Sequence, residues 1–160
     1  MKDRLFIFGT GAHARKVFHY AAACGHEVVG FVDENTAAQP PILGVQVFHA
    51  ASLRAPVEGE AMFVAIGRAD VRMRLMDYLV GAGWMLPALV HPSAWVAPDA
   101  QLGTGVLVAA GAVVETASVV GRGVIVDIGV LVDHECQIGA FCHLKPGEVF
   151  GPSTVVPSPV

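Results

Sequence analysis

The sequence is poor in charged residues and has no excess of positive charge. Only 15% of its 160 residues are Asp, Glu, Lys or Arg, and the formal net charge is −4. A chain without a basic field has little electrostatic affinity for a phosphate backbone, so neither DNA nor RNA is an expected partner. Because 54% of the residues are hydrophobic, we expect a substantial core in one large or two small compact domains.

The beginning of the sequence lacks the long apolar run of a signal peptide or of a membrane span. The apolar run that starts at Leu5 already reaches glycine at Gly9, so we expect no membrane association and a cytoplasmic location. The sequence has only three cysteines, which lie far apart: Cys24, Cys136 and Cys142. We expect all three to be reduced.

One pattern dominates the second half of the chain: an apolar residue recurs at every sixth position. This ladder consists of Val90, Val96, Leu102, Val108, Val114, Val120, Val126, Val132, Ile138, Leu144, Phe150 and Val156. A period of six fits neither a helix with 3.6 residues per turn nor simple alternation. It is typical of a hexapeptide solenoid, in which three strand-and-turn units of about 18 residues in total close one triangular coil. The ladder is long enough for about four coils.

Small or apolar residues recur in a second register, four places after each ladder residue: Ala94, Ala100, Val106, Ala112, Ser118, Val124, Val130, Cys136 and Cys142. We expect these side chains to pack in the interior, the two cysteines included. Gly103, Gly121 and Gly139 directly follow ladder residues and are expected to supply the backbone freedom of a tight corner. A valine-rich antiparallel sheet is the alternative. It would account for the apolar content, but not for several registers that share the same period of six residues.

The first part of the chain has alternating strand and helix patterns instead. A buried strand is predicted at Leu5–Phe8, followed by a glycine turn from Gly9 to Ala14. The helix after this turn has apolar residues at Val17, Phe18, Ala21 and Ala22. Alternation of strands and helices implies a small parallel sheet.

Two more strands and a second helix are predicted. One strand covers Glu27–Val32 and ends at Asp33, and another covers Met62–Ile66 and ends at Gly67. Asp70 is expected to cap a helix whose apolar residues are Val71, Leu75, Tyr78, Leu79 and Ala82. We expect a surface loop at residues 34–41 and a domain boundary near His91-Pro92, which gives domains of residues 1–90 and 91–160.

The glycine turn is the first motif with chemical content. In Gly9-x-Gly11-x-x-Ala14, the two glycines allow a sharp turn and a close approach of phosphate to the backbone. A pyrophosphate could lie at the helix N-terminus, and Asp33 is placed to accept a ribose hydroxyl or base N–H. A turn that only connects strand and helix is the alternative. NAD is the usual ligand, but residues 1–90 are too few for both halves of that fold, which suggests the nucleotide of an activated sugar.

The second motif is Asp133-His134-Glu135, followed by His143. A neutral imidazole can take a proton from an attacking amine or hydroxyl, and an adjacent carboxylate can orient it. The neighbouring ladder residues, Val132 and Leu144, belong to different faces of the triangular coil, so the two histidines need not meet within one chain. They could also be plain surface histidines, or bind metal with a third histidine from a neighbouring subunit, but no close pair has ligand spacing. We therefore predict no metal site.

These features together resemble the sugar O/N-acetyltransferase family of sialic-acid and bacillosamine pathways. The resemblance covers nearly the whole chain and rests on Phe8-Gly9-Thr10-Gly11-Ala12-His13-Ala14, the strand ending in Asp33, Ala65-Ile66-Gly67, His91-Pro92, Asp133-His134-Glu135-Cys136-x-Ile138-Gly139 and His143. It implies a Rossmann-like α/β domain followed by a left-handed parallel β-helix that assembles as a homotrimer.

The resemblance also implies a reaction, the transfer of acetyl from acetyl-CoA to the amino group of a UDP- or GDP-linked 4-amino-4,6-dideoxy sugar. It makes His134 the general base and Glu135 its partner. His143 would contact the acetyl-CoA of a neighbouring subunit, and Gly151 would also contact acetyl-CoA. The nucleotide-sugar site implied by the matching positions consists of Gly9, Gly11, His13, Asp33 and Gly67.

Two departures from the family keep an alternative function open, a nucleotide-sugar-binding or scaffolding trimer with weak or absent acyl transfer. Related sequences have glycine at the position of Pro152, and proline has no N–H for an oxyanion. The expected four coils are also fewer than usual in the family. Two further possibilities fit poorly: covalent transfer through Cys136, because its register is interior, and NAD-dependent oxidation, because the nucleotide domain is half-sized.

Overall fold

The structure is a computed structural model that describes residues 4–35 and 39–160, in two compact units. The first unit extends to Pro87 and the second begins at Ala88. The two-residue strand Leu89–Val90 therefore belongs to the second unit. Part of the loop predicted at residues 34–41 lies outside the described residues.

The first unit is built around a four-stranded parallel sheet. Its elements are β1 (Arg4–Phe8), α1 (Ala12–Ala23), β2 (Glu27–Asp33), β3 (Val47–His49), a 3-10 helix (Ala50–Ser52), β4 (Glu60–Val64) and α2 (Ala69–Gly81). The strands lie in the order β3-β2-β1-β4. Since β2 and β4 both pair with β1, the chain changes sides of β1 before β4 begins. The predicted α/β class is confirmed.

The composition of β1 explains its central position in the sheet. Leu5, Phe6, Ile7 and Phe8 are all buried, although their side chains alternate between the two faces. A strand that is apolar on both faces is typical of a parallel sheet covered on both sides. One of these covers is α1, which packs on β1 and β2 through its buried alanine and valine side chains.

The strands of the sheet differ from the predicted ones in two respects. The sequence pattern does not predict β3, because its three residues are too few to show a period. The strand predicted at Met62–Ile66 begins earlier, at Glu60, and ends at Val64. Ile66 lies in the turn after the strand, where its carbonyl accepts a hydrogen bond from Nη1 of Arg72 at 2.7 Å.

The prediction that Asp70 caps α2 is wrong. The N-cap is Arg68, without a side-chain cap, and Asp70 lies in the first turn of the helix. Its carboxylate instead binds the Arg68 guanidinium, with Nη2 and Oδ2 2.7 Å apart. A negative charge in the first turn still interacts favourably with the helix dipole.

The second unit consists of twelve two-residue strands. They are β5 (Leu89–Val90), β6 (Trp95–Val96), β7 (Gln101–Leu102), β8 (Leu107–Val108), β9 (Val113–Val114), β10 (Val119–Val120), β11 (Ile125–Val126), β12 (Leu131–Val132), β13 (Gln137–Ile138), β14 (His143–Leu144), β15 (Val149–Phe150) and β16 (Val155–Val156). Each ladder residue is the second residue of a strand. The strands form three four-stranded parallel sheets, β5-β8-β11-β14, β6-β9-β12-β15 and β7-β10-β13-β16. This is the predicted left-handed parallel β-helix of four coils.

Both inward registers fill the interior of the β-helix. The ladder residues of the middle coils are buried, whereas those at the two ends, such as Val90 and Val156, are only partly buried. The second register is buried as well, and Cys136 and Cys142 belong to the core, as predicted. The three cysteines are free.

The glycines that follow ladder residues have a different role from the predicted one. A Cβ on Gly103, Gly121 or Gly139 would lie 2.3–2.6 Å from a backbone nitrogen of the next coil, so these glycines allow coils to stack closely. The left-handed corner residue is instead the third one after nine of the twelve ladder residues. It has a positive φ at Gly105, Gly111, Ala117, Gly123, Gly129, Glu135, Phe141, Gly147 and Ser153. The residues of this third register can be located in the sequence, but their left-handed conformation was not predicted.

No helix in the described ranges combines the length and the apolar composition needed to span a bilayer. Within residues 4–35 and 39–160, no group of three or more His, Cys, Asp or Glu side chains is arranged to hold a metal ion.

Candidate functional site

Three strand ends meet at the carboxyl edge of the parallel sheet. Gly9 follows β1, and its N–H donates to the carbonyl of Val32 in β2 at 2.8 Å. Gly9 has a φ of +119°, and a Cβ there would lie 2.9 Å from the carbonyl oxygen of Ala65, just after β4. Glycine is therefore required here by both conformation and space. In parallel α/β sheets, ligands bind at this edge, where the direction of the connections changes.

The N-terminus of α1 is open toward this edge. Its N-cap is Gly11, which provides no side-chain cap, and the first turn has no acidic residue. A Cβ at Gly11 would have no atom within 4 Å. The helix therefore begins with N–H groups that an anion could bind without displacing a protein carboxylate. His13 is the second residue of this helix and is half-buried.

Asp33 ends β2 with both carboxylate oxygens held by hydrogen bonds. The Thr10 hydroxyl donates to Oδ2, and the N–H of Asn35 donates to Oδ1 at 2.7 Å. Burial acts to raise the pKa of Asp33, but the hydrogen bonds from Thr10, Asn35 and Gln39 outweigh it and hold the pKa below its usual value. Asp33 is thus an ionised acceptor in a fixed orientation, suited to a ribose hydroxyl.

A cavity of about 310 Å³ lies beside these strand ends. Its wall is largely apolar and includes Phe8, Leu53 and Leu75. Glu34 and Arg74 line it as well, with their charged groups 3.6 Å apart. Tyr78 also lines the cavity. Its side chain is 64% exposed, although helical spacing predicted it on the apolar face of α2. Neither Arg74 nor this position of Tyr78 could be predicted from the sequence, because helical spacing does not show which face of a helix lines a cavity.

His134 lies on one corner of the β-helix, directly after β12. Its Nδ1 is 3.3 Å from Oε2 of Glu135, and its backbone N–H donates to Oδ1 of Asp133 at 2.7 Å. The ring is 46% exposed, and among the described residues only Nδ1 of its two nitrogens has a hydrogen-bond partner. With Nδ1–H donated to a carboxylate, Nε2 retains a lone pair that can accept a proton.

The next coil holds Glu135 in place. Glu135 has a φ of +60°, which is costly for a residue with a side chain. Ser153, at the same corner one coil later, donates its hydroxyl to Oε2 of Glu135 at 3.2 Å and its N–H to the carbonyl of His134 at 2.9 Å. From the preceding coil, the carbonyl of Thr116 accepts the Glu135 N–H at 3.0 Å. No sequence motif marks Ser153 as a site residue, although it lies in the same register as Glu135.

His143 lies on β14, in a different sheet from β12, as predicted. Its Nε2 is 3.0 Å from Oδ2 of the buried Asp127, and its Nδ1 is 3.1 Å from Nζ of Lys145. An ammonium group only donates, so Nδ1 must accept, and the ring proton must lie on Nε2 and point to Asp127. Both ring nitrogens are engaged. His143 is therefore unsuited to act as a base, whereas His134 is suited to it.

Gly151 and Cys136 meet inside the same corner. The Gly151 carbonyl accepts hydrogen bonds from the thiol of Cys136 at 3.2 Å and from the hydroxyl of Thr154 at 2.6 Å. Cys136 is fully buried, so its thiol is not accessible for a covalent acyl intermediate. A Cβ on Gly151 would have no neighbour within 4 Å, which leaves open space beside the backbone before Pro152.

Comparison with known proteins gives a family and several similar structures. Residues 4–79 match the family described as the PglD N-terminal domain. No curated protein matches the sequence. The structure of PerB from Caulobacter crescentus, in complex with CoA and GDP-perosamine, is 38% identical in sequence. That match has a TM-score of 0.81 and covers 91% of this chain and 70% of PerB.

Two further structures share the whole architecture. The acetyltransferase domain of PglB from Neisseria gonorrhoeae FA1090, in complex with acetyl coenzyme A, is 32% identical, with a TM-score of 0.86, and the match covers 98% of this chain and 77% of that one. A histidine mutant of perosamine N-acetyltransferase from Caulobacter crescentus, with CoA and GDP-perosamine, is 32% identical, with a TM-score of 0.84 and coverage of 94% and 72%.

Proposed function

The chain belongs to the family of nucleotide-sugar N-acetyltransferases of the PglD/NeuD type, and we propose that it transfers acetyl from acetyl-CoA to the amino group of a nucleotide-linked 4-amino-4,6-dideoxy sugar. One observation carries the proposed chemistry. His134 is oriented through Nδ1 by Glu135 at 3.3 Å and retains Nε2 for a proton. His143 has no such nitrogen left, because Asp127 and Lys145 bind its ring.

The reaction requires one proton acceptor and one leaving group. The sugar amine, in its neutral form, attacks the thioester carbonyl and forms a C–N bond, and Nε2 of His134 removes a proton from the attacking nitrogen. The carbon–sulfur bond then breaks, and CoA leaves as a thiolate that takes up a proton. Glu135 stabilises the imidazolium that exists between these events.

The nucleotide part of the substrate belongs, in this proposal, to the carboxyl edge of the sheet. Gly11 and Gly67 leave the edge open, and Gly9 lets the turns after β1 and β4 pack together. His13 and Asp33 provide polar groups. The N-terminus of α1 would bind the pyrophosphate and Asp33 a ribose hydroxyl. The nucleotide is UDP or GDP, and the GDP-perosamine bound by PerB makes GDP the first ligand to test. We assign this role to the first unit and acetyl transfer to the second.

Acetyl-CoA is proposed to bind the β-helix of a homotrimer, in contact with His143 of a neighbouring subunit and with Gly151. An exposed apolar column on the sheet β6-β9-β12-β15 supports association: Trp95, Leu131 and Val149 are 55%, 42% and 69% exposed. Large apolar side chains in one row favour contact with another protein surface. We also propose that the enzyme acts in the cytoplasm, where acetyl-CoA is available.

A direct assay tests the proposed reaction. The purified chain is incubated with acetyl-CoA and a panel of UDP- and GDP-linked 4-amino sugars, and release of free thiol is measured. We expect release with at least one sugar and almost none with the His134→Ala variant. Thiol release no faster than that of the variant on every sugar would disprove the transferase function and favour a binding or scaffolding trimer.

A further inference from the structure

Arg72 is a fully buried cation next to the proposed nucleotide edge. It lies in α2 and is 1% exposed, although arginine is rarely buried without a specific reason. Its Nη1 donates to two successive carbonyls just after β4, those of Ile66 at 2.7 Å and Gly67 at 2.9 Å. The guanidinium therefore fixes the turn that joins β4 to α2.

This turn is in direct contact with the glycine turn after β1. The carbonyl oxygen of Ala65 lies 2.9 Å from the position of a Cβ on Gly9, and a side-chain carbon of Ile66 lies 3.1 Å from it. By contrast, a Cβ on Gly67 or Gly11 would have no atom within 4 Å. The two turns are thus packed together at Gly9 and Ala65 but open at the neighbouring glycines. A change in the turn after β4 would therefore shift the backbone at Gly9.

The direction of the two carbonyls matters for an anionic ligand. A carbonyl oxygen carries partial negative charge and would repel a pyrophosphate if it faced the open edge. Because the Ile66 and Gly67 carbonyls accept hydrogen bonds from Arg72, their oxygens point at the guanidinium. The same contact brings a positive charge close to the edge, in a region of low dielectric where charge acts more strongly than in water.

We propose that Arg72 is a positioning residue for the nucleotide diphosphate, which acts through the Ile66–Gly67 turn and without touching the sugar or acetyl-CoA. This inference rests on the proposed nucleotide-sugar site. Its contribution belongs to ground-state binding of the nucleotide, since Arg72 holds the turn beside the nucleotide edge and has no role in the proposed proton transfer at His134.

The test compares Arg72→Met and Arg72→Lys with the wild-type chain. Calorimetry measures the Kd for GDP and for UDP, and kinetics measure KM for the sugar nucleotide and for acetyl-CoA. We expect Arg72→Met to raise the nucleotide Kd and the sugar-nucleotide KM by about 10-fold, because the turn loses the hydrogen bonds that orient its carbonyls and the edge loses a buried positive charge. The acetyl-CoA KM should stay unchanged. Arg72→Lys keeps the charge and donors and should restore part of the affinity.

Arg54→Met is the matched control. Arg54 belongs to the same unit and binds the buried Glu60 through two hydrogen bonds of 2.7 and 2.8 Å. Its loss should lower the Tm without changing the nucleotide Kd, so that a general loss of stability is separated from a binding defect. A nucleotide Kd of Arg72→Met within twofold of the wild-type value would overturn the proposal. If that variant does not fold, an unchanged Kd of Arg72→Gln overturns it instead. Absence of nucleotide binding to the wild-type chain would refute the proposed site itself.

Discussion

The candidate site of the first unit and that of the second unit consist of different kinds of chemical group. In the first unit, the candidate nucleotide edge is mostly backbone: an open helix N-terminus at Gly11, and a glycine at position 9 whose missing side chain lets two turns meet. In the second unit, the candidate catalytic group is a pair of side chains, His134 and Glu135, on a repeated corner. A backbone site depends on shape, whereas a side-chain site depends on a few functional groups. Substitutions in the first unit should therefore affect nucleotide binding, whereas substitution of His134 in the second unit should affect the rate.

The largest effect should come from the catalytic corner. His134→Ala should lower kcat by about 100- to 10,000-fold, because a general base is lost while both substrates still bind. His143→Ala should mainly raise the KM for acetyl-CoA, since the His143 ring has both nitrogens engaged. Steady-state kinetics at saturating sugar nucleotide measure both. Equal losses of kcat in the two variants would show that the geometry does not distinguish the histidines.

A second comparison tests whether stability in the β-helix depends on stacking. A Cβ on Gly121 would lie 2.6 Å from the nitrogen of Ala140, so Gly121→Ala should cost about 2–3 kcal/mol. Gly111→Ala meets no atom and only forces alanine into a positive φ, at a cost of about 1 kcal/mol. Urea unfolding of both variants gives the free energies. A larger loss at Gly111 would mean that backbone freedom, not stacking, is the main requirement.

The first unit should respond through binding. Asp33→Ala should weaken GDP or UDP binding by about 1–3 kcal/mol, because a charged acceptor is lost. Thr10→Val, which removes only the hydroxyl that orients Asp33, should have a smaller effect in the same direction. Calorimetry with each nucleotide provides the measurement, and kcat at saturating substrate should change little. An unchanged affinity of Asp33→Ala for both nucleotides would show that Asp33 only ends β2 and does not bind the nucleotide.

The smallest expected effect is a pH-dependent change in stability that comes from Asp99 in the β-helix. Asp99 accepts hydrogen bonds from the Thr116 hydroxyl at 2.6 Å and the Ala117 N–H at 3.1 Å, and the first of these mainly lowers its pKa. Because the folded-state pKa is lowered, the stabilisation is present above the ordinary pKa and is lost as the pH falls through the folded value. The Tm difference between the wild type and Asp99→Asn should therefore shrink on acidification. A difference that is constant from neutral to acid pH contradicts this prediction.

The β-helix could be predicted strand by strand, because each strand repeats the same contact with the residue one coil away. The partner of Val120 is Ile138, in the next coil. The other ladder residues likewise pair with the ladder residue of an adjacent coil. The sheet unit has no such repetition. Strand β3 has only three residues, and Arg72 holds the turn after β4 from within α2. No local pattern reveals either feature.

The candidate site residues also divide into some that the sequence predicts and some that it does not. The glycines, Asp33 and His134 are recognisable from motifs and spacing. Partners contributed by other coils or elements are not, because they meet only in the folded chain: Ser153 reaches Glu135 from the next coil, and Arg74 reaches Glu34 from α2. Thr10 is an intermediate case, since it lies inside the glycine motif but its bond to Asp33 requires β1 and β2 to pair.

The stacking of equivalent corners also determines which insertions and deletions the β-helix can tolerate. Residues that face each other in adjacent coils, such as Val120 and Ile138, are one full coil apart. A deletion or insertion of one whole coil before β12 would return every later side chain to its own face, with His134 still on its corner. A deletion of a single hexapeptide would keep the apolar interior but rotate everything after it to the next face, away from its partners. The β-helix can therefore change length in evolution by whole coils without dismantling its catalytic corner.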